Sequence, residues 1–286
     1  MNKRFLFSLA LAFALLIQLS SCKKSGGEFS YRKHISAVDD MVLMQHTAIQ
    51  LAATYIKAIN DSTLLTDNYA KVDGAHTYLT PQDGNILLEV KYDEWGVPDP
   101  YNRYRKGMFS ALMTTPINET GEDVVLNFSD FKLDNQQLII DSFVITKTNE
   151  TLLEDVYSCA ITGFQMKSQD SAYVIHFEAG LEITHQRNGQ SQFYTPVDWF
   201  LMSGSSKALT AFFFDIESNI VEEFVLTGSC SHFQDGSALV KLPAMVPDSG
   251  MYYFEADTLC NDVILMEFDE LPFMQKMDWY VVAPVI

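Results

Sequence analysis

From residue 123 to residue 147 the chain reads DVVLNFSDFKLDNQQLIIDSFVITK. Val124, Leu126 and Phe128 alternate with polar residues. Leu138, Ile140, Phe143 and Ile145 resume an apolar pattern beyond a polar turn at Asp134-Asn135. A period of two puts one set of side chains on a single sheet face, and a short Asx link between two such runs joins antiparallel neighbours. The stretch predicts a hairpin, and its style of text continues in both directions.

Strands are predicted at 86–92, 104–113, 123–131, 137–147, 157–166, 172–185, 193–202, 207–215, 221–230, 237–242, 251–255 and 263–268. Turn chemistry separates several of them at Asp83-Gly84, Asn188-Gly189, Asp235-Gly236 and Ser249-Gly250,. No stretch after residue 80 is long enough for a crossover helix, which excludes a parallel α/β sheet. Aromatic residues make up 13% of the 286, with 20 Phe and 13 Tyr, and they favour strands,. No repeat period supports a propeller or solenoid. The expected fold is mainly β: an antiparallel meander, sandwich or half-barrel with one N-terminal amphipathic helix.

That helix is predicted over 37–60. Val38, Met41, Val42, Ala48, Ile49, Ala52, Tyr55, Ile56 and Ile59 recur at helical spacing, and Ser36 and Asp39 suit its start,. Its polar side is not basic, so it is expected to pack on the sheet or close its end and not to lie on a membrane. The aromatic triplets Phe212-Phe213-Phe214 and Tyr252-Tyr253-Phe254 are expected within strands, where consecutive rings must occupy both faces,.

The N-terminus carries an address. Lys3 and Arg4 precede an apolar run from Phe5 to Ile17, shorter than the roughly 20 residues of a spanning helix,. It ends in Leu19-Ser20-Ser21-Cys22, which resembles the lipobox of bacterial lipoproteins. Residues 1–21 are therefore expected to be a removed signal peptide, and Cys22 the lipidated mature N-terminus. Residues 22–36 are expected to be a tether, and 37–286 a mainly-β domain with a candidate subdivision near 189–192. Acyl chains such as palmitate contribute roughly 0.8 kcal/mol per CH₂ on insertion. The expected location is the cell envelope, lipid-anchored at the outer membrane.

With 19 Lys and Arg against 37 Asp and Glu, the formal charge is −18. Loss of residues 1–21 removes Lys3 and Arg4 and no acid, so the mature chain is more acidic still. A basic face for nucleic acid is not expected, nor is electrostatic adhesion to anionic lipid. Of the remaining cysteines, Cys230 and Cys260 stand 30 residues apart and form a candidate disulfide,. Cys159 lies in an apolar run and reads as a buried thiol,.

Several blocks carry a resemblance. Arg103-Tyr104-Arg105-Lys106-Gly107-Met108 opens a strand, and Val124 to Phe131 is followed by Leu133-Asp134-Asn135 and then Ile145-Thr146-Lys147. Cys230, Gly236 and Cys260-Asn261-Asp262 come later. Taken in order, these resemble uncharacterised Bacteroidota outer-envelope lipoproteins built as long antiparallel β-meanders. The resemblance implies a fold and a compartment and carries no activity. Cys-Asn-Asp and Glu255-Ala256-Asp257 depart from the family's usual order and its glycine.

No catalytic or metal-binding constellation emerges. The six histidines form no HExxH or Cys-linked spacing, and His176 and His185 read as partly exposed sheet residues,. Gly204-Ser205-Ser206 lacks the second glycine of a nucleophile elbow,. Asp257, Asn261 and Asp262 offer oxygen ligands without the spacing of a calcium loop,. Asp93, Glu94 and Asp99 around Trp95 are the carboxylates that best suit sugar chemistry,. The reading is a noncatalytic, lipid-anchored binding or scaffolding module without metal or cofactor. Its partners would be the membrane, through the acyl anchor, and an envelope protein, lipid or glycan. Its alternatives are a half-barrel carrier of an apolar or glycan ligand and a carbohydrate-active enzyme.

Overall fold

In the computed structural model a helical N-terminus leads into strands that follow one another around a sheet. The structure describes residues 3–99, 103–116, 119–188, 193–228, 230, 232–254, 263–269 and 271–276, with side chains between Tyr31 and Asp269. Two helices, α1 (Lys3–Ile59) and α2 (Ser62–Asp67), come first. The strands are β1 (Tyr69–Val72), β2 (Ala75–Gln82), β3 (Asn85–Pro98), β4 (Tyr104–Met113) and β5 (Asp123–Leu133). They continue with β6 (Gln136–Ile139), β7 (Ser142–Glu150), β8 (Glu154–Lys167), β9 (Val174–Gln186) and β10 (Trp199–Leu209). The last are β11 (Asp215–Thr227), β12 (Asp235–Lys241), β13 (Ser249–Phe254), β14 (Val263–Phe268) and β15 (Leu271–Lys276).

Among the described residues all fifteen strands belong to one sheet, ordered as in the chain from β1 to β15, with β7 set between β5 and β8. Among the described residues every strand pairing is antiparallel, so local turns suffice to connect them,. The fold is mainly β, a meander. The predicted strand 137–147 is split at Ile140–Asp141 into β6 and β7. There the Asp141 side chain fills the space a Cβ on Gly163 of β8 would need, and Gly163 has φ +60°. The hairpin turn Asp134-Asn135 forms as expected, with both residues at positive φ.

The meander encloses α1. From Asp40 to Asn60 every residue of the chain is buried, on all faces of the helix. Tyr55 donates to Met113 of β4, Gln45 donates to Ser206 of β10 and Ser218 of β11, and Tyr252 of β13 donates to Gln45. A helix buried all round is a core element, and its polar residues must find partners in the protein. The helix packs on the sheet as expected, and its burial extends beyond the apolar stripe to its polar sides. At its C-terminus, Asp61 accepts the Leu64 N–H to cap α2, and Asn68 at φ 59° turns the chain into β1,.

Other expectations shift. Residues 22–36, expected to be a tether, belong to α1, and His34 is fully buried, bonded to the Pro247 carbonyl and edge-on to Phe268. The packed unit thus begins before residue 37. Phe212 to Phe214 lie in the β10–β11 turn and not in a strand: Phe213 has φ +62° and is 81% exposed. Tyr252 and Phe254 do alternate inward on β13. The polar link 189–192 lies outside the described residues, but β9 and β10 on either side of it pair from Trp199 opposite Gln186 to Leu209 opposite His176. They are neighbours in one sheet. β1, β2 and β15 were not expected. Among the described residues, no helix is long and apolar enough to cross a membrane.

Candidate functional site

Charged side chains enter the interior by the same alternation that carries the apolar ones. On β4, Arg105 shares the inward parity of Phe109, Ala111 and Met113; on β7, Lys147 follows Phe143 and Ile145. Asp155 precedes Tyr157 and Cys159 on β8, while His185 and Arg187 continue Leu181 and Ile183 on and just beyond β9. Each is buried, so each requires a hydrogen-bonding or oppositely charged partner,.

The first cluster lies where β4 begins. Arg105 Nε donates to Asp99 Oδ2 at 2.7 Å and Nη1 to Thr54 Oγ1 of α1 at 2.8 Å, with the Tyr92 hydroxyl at 3.2 Å. Arg103 Nε donates to Asp134 Oδ2 at 2.7 Å. Lys57 of α1 donates to Asp73 at 3.0 Å, in the β1–β2 turn, where Asp73 and Gly74 have φ 46° and 80°. Burial by itself would raise the Asp73 carboxyl, but Lys57 and Arg105 outweigh it and hold it below its ordinary range,. Burial lowers the Arg103 guanidinium against the pull of Asp134.

The second cluster centres on Asp155, which meets Lys147 at 3.3 Å and accepts a hydrogen bond from Arg187 Nη2. His185 Nε2 stands 2.9 Å from Asp198 Oδ2, and its Nδ1 is 3.7 Å from Asp155. Despite burial, which raises them, Asp155 is held low by His185, Lys147 and Arg187, and Asp198 by Thr195, Asn188 and His185. Lys57 lies between the clusters, 5.3 Å from the Tyr194 ring and 5.9 Å from Phe200, on which His185 stacks. The carboxylates with a resolved shift here are stabilised as anions, so they suit structural pairing better than proton donation.

Farther along α1, around Gln45, the buried partners are hydroxyls, and one buried acid, Asp40, lies nearby. Tyr252 donates to Gln45 Oε1 at 2.6 Å, and Gln45 Nε2 reaches Ser206 at 2.9 Å. Asp40 accepts the Ala211 N–H at 2.9 Å, and burial pushes its carboxyl up to about 7.

A different surface lies outside. Tyr69 of β1 is opposite Tyr78 of β2, with ring centroids 5.2 Å apart, and Tyr69 stacks on His76 at 6.0 Å. His76 Nε2 is 3.7 Å from Asp93, and Lys91 lies 5.7 Å from the Tyr78 ring. Between Tyr92 and Val97 the register of β3 against β4 shifts, and the resulting bulge carries Trp95 at 88% exposure,.

The sequence-predicted residues are distributed over this frame. Asp93 and Glu94 are outside and exposed, whereas Asp99 is inside and bound to Arg105, so the three carboxylates do not converge on one cleft. Cys230 is disulfide-bonded, Cys159 is free and buried, and burial pushes the Cys159 thiol up. Cys22 lies outside the described side chains, and Cys260, Asp257, Asn261 and Asp262 lie outside the described residues. His176 is exposed, but His185, expected to be partly exposed, is fully buried because Asp198 supplies its partner. Among the described residues no group of three or more His, Cys, Asp or Glu is placed to hold a metal ion. Sequence reasoning missed both ion clusters, although the inward parity of Arg105, Lys147, Asp155 and His185 was a usable signal. Comparison with protein-family models, with curated proteins and with solved structures found no match.

Proposed function

We propose that the chain is a lipid-anchored lipoprotein of the cell envelope, held at the outer membrane through Cys22, whose β domain is a noncatalytic binding or scaffolding module. One observation carries the second half of this reading: the interior of the meander is occupied by the chain's own helix, and the charges that line it are engaged with one another. A carrier would keep that space for its ligand. Function is thereby left to the outer surface. The first half rests on the lipobox-like Leu19-Ser20-Ser21-Cys22 and on its distance from the packed unit. Cys22 and the buried His34 both lie on α1, about 18 Å apart at the helical rise of 1.5 Å per residue, so such an anchor holds the domain near the membrane,.

Metabolic labelling with an alkyne fatty acid tests the anchor. Label on the wild type and its loss with Cys22→Ala, together with release of the variant from membranes, is the expected result; a labelled variant overturns it. Native mass spectrometry of the isolated protein tests the module. The acylated polypeptide mass alone is expected, and a reproducible additional apolar mass would establish the carrier instead.

A further inference from the structure

The outer face of β1 to β3 departs in two ways from the polar, acidic surface expected of a chain with formal charge −18. Its aromatic rings are presented to solvent, with Trp95 88%, Tyr69 39% and Tyr78 36% exposed. The two tyrosines are also held in place. Tyr69 contacts Tyr78 across the strand pair, its hydroxyl lies 2.9 Å from His76 Nδ1, and His76 is itself beside Asp93. Rings fixed by cross-strand neighbours lose little rotamer freedom when a ligand covers them.

Charge is the second departure. Lys71, Lys91 and Lys106 are set against Glu89, Asp93 and Glu94 on these strands and beside the Trp95 bulge, a balance of zero on a chain of formal charge −18. Lys91 and Glu89 pair at 2.9 Å. Such a face offers no complement to a polyanion or a polycation. It also carries the Lys, Glu and Asp that protein–protein interface cores exclude. A ligand that fits must be neutral, with an apolar flank for the rings and hydroxyls for the charged rim. Pyranose rings have this construction: axial C–H bonds form an apolar face, and hydroxyls project around the edge.

We propose that this face binds a neutral polysaccharide, its sugar rings covering Tyr69, Tyr78 and Trp95 while His76, Lys91 and Asp93 hydrogen-bond the hydroxyls. The proposal rests on the noncatalytic binding reading above and names its ligand class. It assigns Asp93 a role in holding sugar and none in cleaving it.

Native affinity electrophoresis of the full chain in neutral detergent, through gels containing β-glucan, mannan, xylan, galactomannan or amylopectin, tests it, with polygalacturonate as the charged control. Retardation by at least one neutral polymer is expected, weakened about tenfold or more by Trp95→Ala and by Tyr78→Ala, a loss of about 1.4 kcal/mol. Phe213→Ala, which removes an exposed ring from the β10–β11 turn, leaves retardation unchanged, and so does Cys22→Ala. Unaltered thermal unfolding of the Trp95 and Tyr78 variants separates lost binding from lost fold. Retardation by no neutral polymer, or equal retardation of wild type and the Trp95→Ala/Tyr78→Ala double variant, overturns the proposal and leaves the anchored-module reading standing. Release of reducing ends from a retarding polymer does the reverse: it overturns the noncatalytic reading and leaves the binding face in place.

Discussion

Two stretches of α1 are equally buried and solve the problem of buried polarity by opposite means. Around Thr54 and Lys57 the helix meets formal charges: Lys57 on Asp73, and Arg105 on Asp99 and Thr54. Around Asp40 and Gln45 it meets three hydroxyls and a backbone N–H: Ser206, Ser218, Tyr252 and Ala211. An ion pair in the interior costs desolvation on both sides and is intolerant of losing one partner, whereas a neutral network loses about one hydrogen bond at a time. The charged stretch is therefore the brittle one. The neutral stretch contains the buried carboxylate of Asp40, which is held by a backbone N–H, and its pH response runs the other way.

The largest effect is expected from breaking the charged stretch. Asp99→Ala leaves Arg105 buried without its partner and should cost about 3–5 kcal/mol in urea-induced unfolding. The double variant Asp99→Leu/Arg105→Met should recover much of that loss, because no unpaired charge remains; an equal or greater loss would mean that the pair itself is stabilising.

Next comes pH. The folded carboxyl of Asp40 lies above its ordinary value, so its contribution to stability is present below about 4 and is lost as pH rises through about 7,. Asp73, Asp155 and Asp198 lie below theirs, and their contribution is present above the ordinary carboxylate range and lost in acid,. Asp40→Asn should accordingly stabilise the protein at pH 8, by at most about 4 kcal/mol for a three-unit shift, with the gain shrinking toward pH 4. Chemical denaturation at both pH values decides it. A gain that does not depend on pH would show that the Asn packs better and that Asp40 does not titrate there.

Smaller effects sharpen the neutral side. Tyr252→Phe removes one donor to Gln45 and should cost about 1 kcal/mol by the same denaturation,. Cys159, buried with its thiol pushed up, should resist iodoacetamide until the protein unfolds, as read by mass spectrometry after native and denatured labelling,. At the bottom of the scale stands Lys207, whose 2.8 Å pair with Glu217 is open to solvent; Lys207→Ala should leave the melting temperature unchanged at low and high salt,.

Much of the scaffold was legible because its signals are local. β4 and β14 have the bounds the alternation gives them, 104–113 and 263–268, and the Asp134-Asn135 turn is where the Asx pair puts it. β1 and β2 escaped because Ala70, Ala75 and Thr77 occupy their inward positions, and small or polar residues give no apolar alternation to read. The strand expected at 207–215 failed on a local misreading: aromatic residues favour strands, but Thr210 accepts the N–H groups of both Phe213 and Phe214 and closes a turn. The interior clusters are a different case. Gln45, Lys57 and Arg105 have the polarity of surface residues, and only partners distant in the chain make their burial possible. Of the outer face, the Asp93-Glu94-Trp95 group was visible, while the Tyr69 and Tyr78 beside it depended on a pairing of strands the sequence did not announce.

The helix at the centre of the meander is also the first part of the fold to be made. Gln45 finds its partners 161, 173 and 207 residues later, in β10, β11 and β13. During synthesis α1 must wait for nearly the whole sheet, with Lys57 and Gln45 still hydrated and its apolar side chains uncovered. Contacts of such sequence separation are made slowly and late, and chains of this length that expose apolar surface meanwhile aggregate. A chain ending before β13 would have most of its strands and still lack Tyr252, the donor to Gln45. The burial that makes the finished protein's core thus makes its nascent form dependent on being held unfolded until the last strands arrive.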